Sequence, residues 1–172
     1  METKKDGLAI VKRVRDDKYN CIDANGKILL EQWYDWVSDF YGEVAVVIRD
    51  NGDYNFINKQ GKLLSKQWFE WAEDFYDGLA RVKRVDRKYN LIDTQGKFLS
   101  EQWFEWIGDF YDGFAKVQRA YEKYNYIDKQ GKLLSNEWFK YVYDFNDSLA
   151  EVQRTNGEWA KIDKNGKIVV SK

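Results

Sequence analysis

The chain has 172 residues, of which 28 are lysine or arginine and 29 are aspartate or glutamate, so the formal net charge is −1. This balance argues against a non-specific nucleic-acid or membrane-surface binder. The chain has no histidine, and Cys21 is its one cysteine, which excludes His-containing catalytic triads, His-liganded zinc and a disulfide within one chain. Aromatic residues make up 17% and proline is absent, which favours β-sheet and argues against a proline-rich linker.

The chain begins with a short polar leader, residues 1–6. No apolar run is long enough for a signal peptide or a membrane-spanning helix. We therefore expect a cytoplasmic protein with no membrane partner.

A single repeat domain, residues 7–172, follows the leader. Its marker is a Gly-Lys pair that recurs every 35 residues, a spacing typical of repeat proteins. The five glycines are Gly26, Gly61, Gly96, Gly131 and Gly166. The repeats lie near residues 7–42, 43–77, 78–112, 113–147 and 148–172.

The central repeat shows the pattern of short strands. Residues 79–84 alternate apolar and basic, as a half-buried strand does, and residues 88–93 complete a β-hairpin. After the Gly-Lys turn we predict a brief strand at 97–100 and a further strand from Phe104. A helical turn around 100–105 is the alternative, disfavoured because no apolar stripe of helical period runs through the segment.

One such repeat is too small to bury its own apolar face, so neighbouring repeats must share a core. The predicted core consists of Ala45, Ala80, Ala115, Ala150, Val82, Val117, Val152, Ile22, Ile57, Ile92, Ile127, Ile162, Phe40, Phe75, Phe110 and Phe145. We predict an all-β tandem array of about five antiparallel hairpin repeats. An open, solenoid-like superhelix is favoured, and a small closed, propeller-like ring is the alternative.

Three separated motifs of this repeat carry a family resemblance. Gly78-Leu79-Ala80-Arg81-Val82, Ile92-Asp93-Thr94-Gln95-Gly96-Lys97 and the aromatic segment 104–110 occur in the order of the WG repeat of bacterial proteins, also called the KWG repeat. The chain resembles that family over nearly its whole length. The resemblance implies an all-β array that binds other molecules, and it implies no catalytic residue.

The chain departs from the WG pattern at the pair that names the family. Tyr-Asn stands there in the first four repeats, at residues 19–20, 54–55, 89–90 and 124–125, and Trp159-Ala160 stands there in the fifth. Since asparagine tolerates left-handed backbone, we expect it to replace the glycine, and we expect Ala160 to distort the last repeat.

An arginine ends the first strand of every repeat: Arg13, Arg49, Arg84, Arg119 and Arg154. One interpretation is a stripe that reads carboxylates or phosphates through guanidinium forks. The other, favoured by the neutral total charge, is a structural row that pairs with acids. The acids considered are Asp39, Asp74, Asp109 and Asp144, or Asp23, Asp93, Asp128 and Asp163.

Pairs of aromatic residues are the more distinctive feature. They are Trp33 and Trp36, Trp68 and Trp71, Trp103 and Trp106, and Trp138 and Tyr141. Exposed aromatic rows suit protein hot spots, sugar rings or stacked bases, whereas buried ones seal the seams between repeats. We expect one member of each pair to pack in a seam and the other to bind, without assigning which.

These features predict a non-catalytic protein-binding module, an adaptor or an inhibitor. Acidic side chains recur in every repeat, as solvent-facing charges do, so we expect no enzyme. We also expect no cofactor and no metal. The alternatives are an inhibitor of a nucleic-acid-handling enzyme and a carbohydrate-binding module that uses the tryptophans; direct nucleic-acid binding is disfavoured.

Overall fold

The computed structural model describes residues 7–169. The leader (residues 1–6) and the last three residues lie outside the described residues, so the leader stays a prediction. From residue 7 to residue 169 the chain forms fifteen β-strands and no helix, which confirms the all-β class. No helix in this range is therefore long and apolar enough to cross a membrane.

In chain order the strands are β1 (Ala9–Arg13), β2 (Lys18–Ile22), β3 (Trp36–Val37), β4 (Val44–Ile48), β5 (Tyr54–Asn58), β6 (Trp71–Ala72), β7 (Leu79–Lys83), β8 (Tyr89–Asp93), β9 (Trp106–Tyr111), β10 (Phe114–Ala120), β11 (Lys123–Asp128), β12 (Tyr141–Val142), β13 (Leu149–Gln153), β14 (Trp159–Asp163) and β15 (Ile168–Val169). Their antiparallel sheets are β1-β2, β3-β4-β5, β6-β7-β8, β9-β10-β11 and β12-β13-β14-β15.

Each larger sheet joins the aromatic strand of one repeat to the hairpin of the next. For example, β3 pairs with β4, and β4 pairs with β5. Internal contacts divide the described chain into an N-terminal half (residues 7–87 and 91–98) and a C-terminal half (residues 88–90 and 99–169). The tandem antiparallel array is confirmed, and the choice between an open and a closed array stays a prediction.

Strand alternation places the predicted core as expected. The alanines, valines and isoleucines of the second to fifth repeats are buried, as are Phe75 and Phe145, whereas Ile22, Phe40 and Phe110 are half-buried. The prediction missed a second aromatic set that is equally buried: Tyr34, Phe69, Phe104 and Phe139. Each buried phenylalanine contributes about 1.5–3 kcal/mol, so this set is a main part of the core.

The chain after each Gly-Lys turn is less regular than predicted. In the central repeat it pairs through single bridges, Ile92 with Phe98 and Tyr89 with Phe104, and strand β9 begins only at Trp106. The predicted strand at 97–100 and the alternative helical turn at 100–105 were therefore wrong. Between the two bridges the returning chain bends away from β8, which leaves backbone groups that the strand ladder does not pair.

Buried asparagines pair those backbone groups. Asn20, Asn55, Asn90 and Asn125 are at most 1% exposed. Nδ2 of Asn125 donates to the carbonyl oxygens of Ser135 (2.7 Å) and Glu137 (3.1 Å), and its Oδ1 accepts from the Tyr126 amide (2.8 Å). None of the four has a positive φ, so the prediction of a left-handed asparagine was wrong. The position requires a side-chain amide, because only an amide can both donate to the two carbonyls and accept from the backbone N–H.

Ala160 occupies the same position in the fifth repeat. It pairs with Val152 in an uninterrupted register that runs from Leu149 opposite Asp163 to Gln153 opposite Trp159. The predicted distortion of this repeat was therefore wrong, because a strand residue needs no special backbone conformation here.

The Gly-Lys turns also serve as contacts between repeats. In the turn that contains Gly131, Asp128 Oδ1 accepts the amides of Gln130 and Lys132, and the glycine has a φ of +84°. A Cβ on Gly131 would lie 1.8 Å from the carbonyl oxygen of Leu99, in the preceding repeat. Gly61, Gly96 and Gly166 approach Leu29, Leu64 and Leu134 in the same way. Glycine is therefore required twice, for the turn and for the close approach of two backbones.

Cys21 is fully buried, and burial raises the pKa of its thiol to about 11. Because the side chain is inaccessible and burial disfavours its thiolate, we expect iodoacetamide to leave the folded protein unmodified at pH 8. The labelling rate should rise as the pH approaches 11 or as urea unfolds the chain, which mass spectrometry can follow. Full labelling of the folded protein at pH 8 would contradict this assignment.

Candidate functional site

The strand register brings aromatic side chains together on one face of the sheets. In the C-terminal half, Trp106 lies opposite Gln118, which lies opposite Tyr124. Tyr141, Gln153 and Trp159 repeat the arrangement in the next sheet. Directly opposite residues share a face, so each sheet presents two rings with a polar side chain between them. We call these residues, Trp106, Tyr124, Tyr141 and Trp159, the aromatic row of the C-terminal half.

The row is accessible to solvent. Trp106 is 40% exposed, Tyr141 45% and Trp159 55%. A groove of about 220 Å³ lies between Trp106, Tyr124 and Tyr141, with Lys116 and Val142 also lining it. Exposed tryptophan and tyrosine side chains at a groove are the residues that most often dominate the energy of a protein interface.

The ring of Trp106 packs over Gly108 of its own strand. A Cβ on Gly108 would stand 2.7 Å from the Trp106 ring, so the glycine leaves the space that the indole covers. Trp106 is thus in contact with its own strand and is still 40% exposed.

The N-terminal half has a matching arrangement. Trp36 lies opposite Ile48, and Ile48 lies opposite Tyr54. Trp36 is 47% exposed, and its ring centroid is 5.3 Å from that of Tyr19. Trp71 pairs with Lys83 at the equivalent position and is half-buried. The second aromatic of each predicted pair is thus the more exposed one in three of four repeats.

The first aromatic of each pair, Trp33, Trp68, Trp103 and Trp138, is half-buried. Trp68 packs against a buried cluster drawn from the first and second repeats, and its ring centroid lies 6.0 Å from that of Tyr34 in the first repeat, so it seals a seam. In the second repeat Trp68 and Trp71 are both half-buried, so the expected division of each pair into a seam residue and a binding residue stays a prediction.

The predicted arginines stack on these inner tryptophans. The guanidinium carbons of Arg13, Arg49 and Arg119 lie 4.4, 4.6 and 4.5 Å from the ring centroids of Trp33, Trp68 and Trp138. Two sets that the sequence presented as separate rows therefore form one structural element, a cation–π stack, at the ends of the first, second and fourth hairpins.

Acids near the hairpin turns pair with the arginines. Arg13 binds Asp16, Arg49 binds Asp53 and Arg84 binds Asp86, while Arg154 binds Glu137 at 2.9 Å. The Arg154 guanidinium lowers the pKa of the Glu137 carboxyl below its usual value. For these four arginines the favoured structural interpretation named other partners, the aspartates equivalent to Asp23 or Asp39, and was wrong.

Several site residues escaped the sequence-based prediction. Trp159, Tyr54 and Tyr124 belong to the same face as the exposed tryptophans, and the alternation of the second hairpin strand could have indicated this. Tyr41, Tyr76 and Tyr111 are also exposed, at 76, 88 and 62%, but they are not members of the aromatic row. Within residues 7–169, no group of three or more Cys, Asp or Glu side chains is placed to hold a metal ion.

The fold and this surface define a tandem β-repeat protein with a regular aromatic face. The chain belongs to the WG repeat family, because a family model described as "WG containing repeat" matches residues 21–52, 56–89, 91–124 and 126–159, well over half of the chain. The resemblance expected from the motifs is thereby confirmed. No curated protein sequence matches the chain.

Solved structures with similar folds share little sequence with the chain. The computationally designed Ika8 protein is 15% identical (92% of this chain, 56% of that one, TM-score 0.38). BamB from Moraxella catarrhalis is 12% identical (96% and 60%, TM-score 0.36). The C-terminal WD40 domain of Sif2 is 13% identical (94% and 53%, TM-score 0.34). The chain spans between half and three-fifths of these structures, and similarity this low carries no functional argument.

Proposed function

We propose that this protein is a non-catalytic module that binds another protein through the aromatic row. The observation that carries the proposal is the exposure of Trp106, Tyr141 and Trp159 on one face of neighbouring sheets. Burying such rings against a partner contributes far more binding energy than burying average surface does. The regular face of a repeat array suits this task.

The charges beside the row also favour a protein partner over a polyanion. Lys116 pairs with Asp144 at 2.8 Å, Lys140 with Glu122 at 3.4 Å and Lys88 with Glu105 at 3.5 Å. These cations are already neutralised, so they provide little attraction for a phosphate backbone. An adaptor and an inhibitor would use the same surface, and the identity of the partner distinguishes them.

Affinity capture from the native host tests the proposal. We expect the wild-type chain to retain a specific protein and the variants Trp106→Ala and Tyr141→Ala to bind it about thirtyfold more weakly, because each removes an interface anchor. Tyr111→Ala, which removes a 62% exposed ring at the far end of β9, is the control and should bind normally.

Equal capture by all four proteins, with the fold intact by near-UV circular dichroism, would contradict the proposal. Saturable binding on a glycan array, lost with Trp106→Ala, would instead support the carbohydrate alternative. A captured nuclease or polymerase whose activity falls on binding would identify an inhibitor of a nucleic-acid-handling enzyme.

A further inference from the structure

A cavity in the N-terminal half is lined by none of the residues of the aromatic row. It has a volume of about 320 Å³ and opens between two successive Asp-Phe segments, Asp39-Phe40 and Asp74-Phe75. Val46 and Phe56 lie behind them, and the Phe56 and Phe75 rings meet edge to face at 4.8 Å. The lining thus combines aromatic and aliphatic surface with two carboxylates.

At the equivalent position in the C-terminal half, a cationic side chain lies beside the carboxylate. Val46 pairs with Phe56 across the hairpin, as Lys116 pairs with Tyr126 seventy residues later. Tyr126 packs on Phe145 at 5.0 Å, as Phe56 packs on Phe75. There, Nζ of Lys116 lies 2.8 Å from the carboxylate of Asp144, the counterpart of Asp74. The chain therefore places its own cation beside the carboxylate.

The repeat between these two also carries a cation at this position. Arg81 stands where Val46 and Lys116 stand in their repeats, and it lies 3.6 Å from Glu73 with its side chain 17% exposed. Only at Val46 does an uncharged side chain occupy the position among these three repeats. Val46 cannot provide a charge to Asp74, and its shorter side chain leaves the space open.

We propose that the cavity between Phe40 and Phe75 receives a basic side chain, arginine or lysine, from a protein partner. The occupant is argued from charge: Asp74 supplies the carboxylate whose counterpart, Asp144, pairs with Lys116, and an arginine or lysine of the partner supplies the matching cation. The site rests on the proposed function only in that its occupant belongs to a partner protein. It takes no part in the aromatic row.

Nuclear magnetic resonance titration with blocked amino acids tests the site directly. N-acetyl-arginine N-methylamide should cause saturable shifts in the amides of residues 44–46 and 74–75. N-acetyl-citrulline N-methylamide has nearly the same shape without the charge, and we expect it to bind about tenfold more weakly or not at all.

A reciprocal exchange of two residues sharpens the test. In Val46→Lys, the introduced ammonium should pair with Asp74, as Lys116 pairs with Asp144, and should abolish the arginine response. Lys116→Val should open the matching cavity and add a second set of shifts around Asp144 and Phe145. Asp74→Asn, a change at an exposed residue, should also abolish the response at the first cavity.

Equal responses to arginine and citrulline, or an unchanged response in Val46→Lys and Asp74→Asn, would overturn the site. If the arginine derivative binds as expected but Trp106→Ala captures as much partner as the wild type, the cavity is supported and the aromatic row is rejected as the contact. If capture depends on Trp106 and the derivative does not bind, the cavity alone is rejected.

Discussion

Replacing Gly131 with alanine should destabilise the protein by about 2–5 kcal/mol. The left-handed backbone costs an alanine about 1–2 kcal/mol, and forcing a methyl group against a fixed backbone costs about 1–3 kcal/mol more. The added Cβ would lie 1.8 Å from the Leu99 carbonyl oxygen, which cannot move without displacing the preceding repeat. Urea denaturation, followed by tryptophan fluorescence, measures the loss.

Gly26 provides a matched control for this change. It has a φ of +79°, and its amide donates to the Asp23 carbonyl at 3.0 Å, as the Gly131 amide donates to Asp128 at 3.0 Å. A Cβ on Gly26 meets nothing within 4 Å. Gly26→Ala should therefore cost only the backbone strain, about 1–2 kcal/mol. Equal losses for the two variants would show that the contact between repeats contributes nothing.

Asn125→Ala should have an effect of similar size, about 3 kcal/mol or more. It leaves the carbonyls of Ser135 and Glu137 and the amide of Tyr126 without their side-chain partner, and an unsatisfied buried group costs about 1–3 kcal/mol. The same denaturation experiment measures it. Asn146→Ala, at an exposed turn, is the control and should change stability by less than about 0.5 kcal/mol.

Asn125→Asp separates hydrogen bonding from packing, because aspartate fills the same volume but cannot donate when ionised. We expect it to be at least as unstable as Asn125→Ala at pH 7. If it is as stable as the wild type, or if Asn125→Ala loses under about 1 kcal/mol, the asparagine does not hold the returning chain.

The sequence was sufficient for the period, the strands and most of the core, because alternation and repetition depend on local spacing. The roles of Gly131 and Asn125 were beyond its reach. The glycine is required by a backbone in another repeat, and the asparagine binds carbonyls 10 and 12 residues later in an irregular segment. The spacing of residues along the chain does not show that the glycine approaches that backbone or that the asparagine reaches those carbonyls.

The candidate site divides in the same way. The tryptophan pairs were visible as a pattern, but the choice of Trp106 over Trp103 as the exposed member depends on strand β9 beginning at Trp106, a boundary that no propensity predicts. The cavity behind Val46 could be recognised only after Lys116 and Asp144 were seen in contact. A hydrophobic residue in a strand is otherwise the ordinary expectation.

The approach of four turn glycines, those of the second to fifth repeats, to a leucine carbonyl has a consequence for how such a chain can change. The nearest atoms in this contact belong to the main chain, so the contact can form between repeats of different sequence as long as their length is preserved. Duplicating or exchanging a complete 35-residue repeat should yield a protein that folds. Deleting one residue within a repeat should instead move its turn glycine away from the leucine carbonyl of the preceding repeat. Adding whole repeats is thus the change that enlarges the binding face while keeping the contacts between repeats.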